Sequence, residues 1–274
     1  MHNRFYFYFL YIFMSLIIVM SYLYFLYKFI RIELRYFQLR YLSKKTDLEA
    51  KLLKEGVVVI ENYIDKNKLK SFYKNIPSEN EMRLSPEGTK TRFVSTAIKI
   101  DGLRSFFEDD FIRKTFLKII GKDSYQLRST VQKRDFIGHT GAFEQFFHSD
   151  TWQHRLKAFL YITDVGQGNA PLVYVKKSQN FSFFRFKLAK ELWKFSSTGS
   201  DSFLHDEDSQ FAGTLFPHQS NNFIRNKNLQ QFEILGKAGT LVLFDARGLH
   251  KSKPLLTGER IILSSYWIKK NNHI

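Results

Sequence analysis

From Phe5 to Tyr27 the chain runs 23 residues without a charge, and only Ser15 and Ser21 interrupt its Phe, Tyr, Leu and Ile side chains. At ~1.5 Å per residue such a helix is long enough to cross a ~30 Å hydrocarbon core. A secretory signal core is shorter, about 7–15 residues, and no small-x-small cleavage pattern follows this one. Residues 5–27 are therefore predicted to form a transmembrane helix, with Tyr and Phe at its ends suited to the interfacial belts. Beyond it Lys28, Arg31, Arg35, Arg40, Lys44 and Lys45 outnumber the single Glu33, whereas only Arg4 precedes it. That asymmetry predicts a single-pass membrane protein with its C-terminal part in the cytoplasm. Ile30, Leu34, Phe37 and Tyr41 recur at helical spacing among these cations, so the anchor is expected to continue as an amphipathic helix on an anionic leaflet. The expected organisation is an anchor and basic juxtamembrane helix over 1–45 and a folded domain over 46–274.

The whole chain of 274 residues carries 42 Lys and Arg against 26 Asp and Glu, a formal net charge of +16. Residues 1–45 carry a net +6 of that charge, so the remaining +10 belongs to the folded domain and implies an anionic partner of its own. No helix-turn-helix, zinc-knuckle or RNP-like pattern is present, and no nucleic acid is expected. The absence of cysteine excludes disulfide scaffolds, thiolate zinc sites and Cys nucleophiles. Neither a Gly-x-Ser-x-Gly elbow nor a Walker loop or dinucleotide fingerprint occurs. Nothing in the sequence marks an oligomeric state.

Helices are predicted over Asp47 to Glu55, Asp65 to Asn75 and Phe106 to Ile120, with a strand at Val57 to Ile60 and a loop over 77–91. Short apolar or alternating runs follow between Gly, Pro and Asn: Ala158–Thr163, Pro171–Val175, Thr240–Asp245 and Arg260–Ile268. A helical opening before many short strands argues for a mainly β body, sandwich or jelly roll, with flanking helices. One segment breaks that rhythm. Phe181, Phe184, Leu188, Leu192 and Phe195 fall at helical steps with Arg185, Lys187, Lys190 and Lys194 among them, a basic amphipathic helix that either packs on the sheet or serves as lid or second membrane contact.

His148-Ser149-Asp150 places two metal-competent side chains at i and i+2, on one side of an extended strand. His250, just after the Thr240–Asp245 strand, supplies a third donor. Two His and one carboxylate form the facial triad of non-heme Fe(II), which leaves three positions for substrates. Arg260, opening the last strand, is a bidentate donor for the distal carboxylate of a chelating 2-oxo diacid, and Ser252 adds a hydroxyl. A helical His148/Asp150/His154 site is the competing arrangement, disfavoured by the β-type run that follows. His205-Asp206-Glu207-Asp208 reads as a solvated acidic loop, and His139 and His218 as loop residues.

In this order, His148-x-Asp150, a Gly-rich turn, the strand Gly239 to Asp245, His250-x-Ser252 and Arg260, the chain resembles the phytanoyl-CoA dioxygenase family of Fe(II)/2-oxoglutarate oxygenases. The segment Leu156 to Val165 looks like the family's strand after the first two ligands, and the resemblance extends from about Gly56 to Trp267. It implies a double-stranded β-helix in which 2-oxoglutarate and O₂ are consumed, succinate and CO₂ released, and one carbon of a small-molecule substrate hydroxylated. Its layout also suggests that Arg128 and Gln145 approach the co-substrate. Where relatives carry Pro-Gly-Ser-His after the Gly-rich turn, this chain has Val175-Lys176-Lys177-Ser178-Gln179. Because Asp150 is present, hydroxylation rather than halogenation is implied. Tethering and basicity favour a lipid-like or anionic substrate. A silent jelly-roll module binding an anionic lipid or glycan, and a zinc or manganese cupin-like isomerase, are the alternatives.

Overall fold

The computed structural model describes residues 2–84, 91–135, 146–197 and 213–270. Its helices are α1 (His2–Tyr41), α2 (Asp47–Glu55), α3 (Lys66–Lys74), α4 (Asp101–Phe107), α5 (Asp110–Ile120), α6 (Phe183–Ser197) and α7 (Pro217–Asn226). Its strands are β1 (Val57–Ile60), β2 (Arg83–Leu84), β3 (Thr91–Val94), β4 (Ser124–Asp135), β5 (Arg155–Tyr161), β6 (Leu172–Val175), β7 (Gln231–Ile234), β8 (Leu241–Asp245), β9 (His250–Ser252) and β10 (Glu259–Lys269). Seven strands form one sheet in the order β1-β8-β5-β10-β4-β3-β2, and three form a second, β7-β6-β9. Every strand pair is antiparallel. This is the predicted double-stranded β-helix.

Strand alternation divides the interior in two. Leu156, Ala158 and Leu160 of β5, Leu241 and Leu243 of β8, and Ile261 and Leu263 of β10 face a core shared with the helices. Their neighbours Phe159, Tyr161, Val242, Phe244 and Ile262 face the space between the sheets, with Leu172 and Tyr174 of β6 opposite. Side chains on successive residues point to opposite faces. Lys157 and Arg260 therefore share the inner face, which is where the chemistry-bearing groups gather.

The predicted helix over 106–120 is two helices. Asp109 interrupts it, its carboxylate accepting from the Ile112 amide at 3.0 Å as the N-cap of α5 and from the Tyr63 hydroxyl at 2.7 Å. Within the expected loop 77–91 lie a 3₁₀ turn, Glu79–Glu81, and β2. The longest strand among those described, β4, escapes the periodicity argument because its polar residues pair on both sides, with β10 and β3.

α1 is continuous through the predicted anchor and beyond. A window of mean hydropathy 1.8 within Phe13–Tyr41 is long and apolar enough to cross a membrane by length and composition. The predicted amphipathic face, Ile30, Leu34, Phe37 and Tyr41, is exposed. On another side Phe25, Phe29, Ile32, Tyr36 and Leu39, at steps of four and three, are buried in the helix-side core. At about 1.5–3 kcal/mol per buried large apolar side chain, those contacts contribute on the order of 10 kcal/mol before conformational entropy, comparable to the net stability of an ordinary domain. The second half of α1 is thus part of the folded body. It meets α6 through Phe25 on Trp193, ring centroids 5.0 Å apart, and Phe29 on Phe186 at 5.3 Å.

Candidate metal centre

His148 lies beside β9, exchanging both backbone hydrogen bonds with His250 at 3.0 Å. That pairing sets the two rings 4.4 Å apart. Asp150 Oδ1 then lies 3.6 Å from His148 Nε2 and 3.4 Å from His250 Nε2. Among the described residues His148, Asp150 and His250 form a metal-competent group with donor atoms within 4.8 Å of one another. Each imidazole is oriented through its other nitrogen: His148 Nδ1 bonds to the Phe146 carbonyl and His250 Nδ1 to the Gly248 carbonyl, both at 2.9 Å. A carbonyl only accepts, so each Nδ1 carries the proton and each Nε2 keeps its lone pair for a cation. Burial, reinforced by His250, pushes the His148 pKa down to about 4, which keeps that ring neutral.

Lys157, which sequence reasoning did not single out, completes the inner wall. Its ammonium pairs with Asp150 Oδ2 and lies 4.5 Å from the Tyr266 ring centroid. Burial opposes ionisation of Asp150, but the Lys157 charge beside it holds the carboxyl well below its usual range. Oδ1 is left facing the imidazoles while Oδ2 is neutralised, an arrangement suited to one-oxygen ligation. The signal for Lys157 was its parity with Phe159 and Tyr161 in an otherwise inward-apolar strand.

Arg260 is buried, and burial pushes its pKa down to about 10. One guanidinium nitrogen, Nη1, donates to the Ala170 carbonyl and, at 3.1 Å, to Ser252 Oγ. Its Nε has no hydrogen-bond partner, and among the described residues no carboxylate lies in ion-pair range. Ser252 is two residues from His250 on β9, so strand geometry brings Arg260, Ser252 and the triad to one inner surface. Phe244, 5.3 Å from His250 and 4.9 Å from Phe159 between ring centroids, supplies aromatic wall.

The other sequence candidates fall elsewhere. His154 faces the helix-side core, stacked on Tyr36 with centroids 4.8 Å apart, so the helical His148/Asp150/His154 site does not form. Arg128, by contrast, lies on β4 opposite Tyr266 and so faces the same side of the sheet as Lys157 and Arg260. Gln145, His139 and His205 to Asp208 lie outside the described residues. Ser178 donates to the Val175 carbonyl at 2.6 Å and accepts from the Leu249 amide at 2.7 Å, tying the altered loop to the ligand strand. Lys177 there adopts φ +67°, a left-handed conformation ordinarily given to glycine. Arg185, one of the cations of the predicted amphipathic segment, is buried and donates to the Thr151 carbonyl at 3.0 Å.

Two expectations arise here. Burial, with the Arg247 charge, pushes the His154 pKa down to about 3. The unfolded chain takes up that proton near pH 6.5, so this residue's contribution to stability is complete above pH 6.5 and is lost as pH falls toward 3. Thermal melts from pH 7 to 4 should show a smaller acid destabilisation in His154→Phe than in the wild type; parallel curves would contradict it. Gly248, whose carbonyl orients His250, has no room for a side chain: an added Cβ would lie 1.9 Å from the buried Tyr174 hydroxyl. Gly248→Ala should cost about 1–3 kcal/mol in denaturant unfolding and weaken metal binding as well.

No family model matches the sequence, and no curated protein matches it. Solved structures do match its fold. The non-heme alpha ketoglutarate dependent carbocyclase SnoK from nogalamycin biosynthesis is 13% identical, over 83% of this chain and 85% of its own, with a TM-score of 0.60. EctD from S. alaskensis with 2-oxoglutarate and 5-hydroxyectoine is 14% identical, over 85% and 81%, with a TM-score of 0.59. The epimerase SnoN in complex with Fe3+, alpha ketoglutarate and nogalamycin RO is 16% identical, over 81% and 82%, with a TM-score of 0.56. The chain therefore has the cupin-like fold of the Fe/2-oxoglutarate-dependent oxygenases. Epimerisation and carbocyclisation among these similar structures mean that the fold does not select one reaction.

Proposed function

We propose that the protein is a membrane-anchored Fe(II)- and 2-oxoglutarate-dependent dioxygenase of the phytanoyl-CoA dioxygenase type, hydroxylating a lipid-like or anionic small molecule at the cytoplasmic membrane surface. The observation that carries this reading is the convergence of a neutral-His/carboxylate triad with a buried, acid-free Arg260 on the same inner face. His148, Asp150 and His250 would hold Fe(II), which supplies O₂ activation coupled to oxidative decarboxylation of the co-substrate. Arg260 and Ser252 would bind the distal carboxylate of 2-oxoglutarate, whose charge satisfies the free Nε. Lys157 holds Asp150 in place, and Phe244 and Phe159 keep water from the reacting face.

The membrane part of the reading rests on α1. Its described ring contacts with the body include those of Tyr22 and Phe25, inside the predicted span 5–27. The preceding residues 5–21 still give roughly 25 Å of helix at ~1.5 Å per residue, so the body would sit against the headgroups. There Phe181, just before α6, and Phe183 on it are exposed, with Lys187 over the Phe183 ring and Lys190 over Tyr22. Aromatic rings next to ammonium groups suit an anionic interface.

The test uses the full chain in lipid nanodiscs. Anaerobic Fe(II) with 2-oxoglutarate should give a charge-transfer absorption, and O₂ should then yield succinate. Absence of both would refute the oxygenase reading. Metal binding without 2-oxoglutarate affinity would favour the silent binding module.

A further inference from the structure

Among the buried charges that the proposed chemistry does not use, one connected group joins α1 to the turn before His250. Arg247 is 0% exposed. Its Nε and Nη2 donate to both oxygens of Asp245 at 3.0–3.2 Å, and its Nη1 reaches Glu33 of α1 at 3.3 Å. The guanidinium lies 3.6 Å from the centroid of the Tyr36 ring, also on α1. A buried cation flanked by two carboxylates and an aromatic face is fixed in position, because moving it would separate charges in a medium of low dielectric. Glu33 is the only acid among residues 1–45.

The backbone of this turn supports the ligands. The Ala246 carbonyl accepts the Asp150 amide at 3.0 Å. The Arg247 carbonyl accepts Ser149 Oγ at 2.9 Å, and the Gly248 carbonyl holds His250 Nδ1. His148 follows through its paired backbone bonds with His250. Arg185 of α6 closes the far side on the Thr151 carbonyl. Three consecutive peptide units therefore set the ligand geometry, and the side chain in their middle is clamped by α1.

We propose that Glu33 and Tyr36 are positioning residues of the metal centre, so that the helix carrying the membrane segment is a structural component of the site rather than a tether alone. This rests on the metal reading of His148, Asp150 and His250. The clamp acts through Arg247: with Glu33 and Tyr36 in place the Asp245–His250 turn holds Asp150 and His250 together, and without them the turn relaxes and the three donors diverge. Partners that orient metal ligands typically change affinity about 10- to 100-fold when removed.

The test is Mn(II) affinity by electron paramagnetic resonance on the full chain in nanodiscs, with Co(II) absorption as a report of ligand geometry. Glu33→Ala and Tyr36→Leu should each weaken Mn(II) binding roughly 10-fold or more and alter the Co(II) spectrum. Leu34→Ala, on the exposed side of the same turn of α1, should leave both unchanged. If wild-type protein binds no Mn(II), the metal reading itself falls and this inference with it. Wild-type binding with unchanged affinity and spectrum in Glu33→Ala and Tyr36→Leu overturns the inference and leaves the metal reading intact. Should those variants fail to fold, the milder Glu33→Gln, which keeps shape and an acceptor but not charge, decides: a several-fold weaker affinity at unchanged thermal midpoint supports the clamp, and wild-type affinity overturns it.

Discussion

Asp150→Ala should abolish metal binding and reduce 2-oxoglutarate-dependent succinate formation at least about a thousandfold, or ~4 kcal/mol at 1.36 kcal/mol per decade. Asp150 supplies the only anionic donor of the triad, with Oδ1 3.6 and 3.4 Å from the two imidazole nitrogens. Removing it leaves two neutral donors and places the Lys157 ammonium, no longer neutralised, against them. A divalent cation is then opposed rather than attracted. The backbone hydrogen bonds of residue 150 and of His148 do not depend on the carboxylate, so the variant should fold, which circular dichroism would verify. Metal titration by calorimetry is the direct measurement, and wild-type affinity in Asp150→Ala would refute the assignment.

Arg260→Ala should raise the 2-oxoglutarate dissociation constant by about two orders of magnitude while leaving metal affinity unchanged. A hydrogen bond to a charged group contributes about 1.5–3 kcal/mol, and a bidentate guanidinium–carboxylate pair adds geometric selectivity that Lys does not reproduce. Arg260→Lys is therefore expected between the two. The same residue has a second signature. Burial without an acid depresses its pKa to about 10 and leaves Nε without a partner, so the guanidinium is poorly satisfied until a dicarboxylate arrives. Truncation should consequently cost the ligand-free protein little stability, yet remove the rise in thermal midpoint that saturating 2-oxoglutarate gives the wild type. Retained stabilisation by 2-oxoglutarate in Arg260→Ala would count against its role.

The site was legible where chemistry leaves a local mark. His148-x-Asp150 and His250-x-Ser252 each keep a two-residue spacing, which on an extended chain places side chains on one face whatever the tertiary arrangement, and Arg260 stands at the start of the last strand. Lys157 and Arg247 left no such mark: a lysine in a strand and an arginine in a turn read as solvated cations. Burial among Asp150, Phe244 and Tyr266 in one case, and among Asp245, Glu33 and Tyr36 in the other, gives them their roles.

By itself the sequence determined the apolar helix, the mainly β body and the ordered set of candidate metal donors, because hydrophobic length, strand alternation and donor spacing are properties of neighbouring residues. Tertiary structure alone decided that the second half of α1 is built into the domain. Both sides of that helix are apolar in sequence, Ile30, Leu34, Phe37 and Tyr41 on one and Phe25, Phe29, Ile32, Tyr36 and Leu39 on the other. Periodicity cannot say which of two apolar stripes meets protein. Much of the complementary surface, with Trp193 and Phe186 from α6 and the buried Arg247 from the turn before β9, comes from residues more than 140 positions away, and only folding brings them to it.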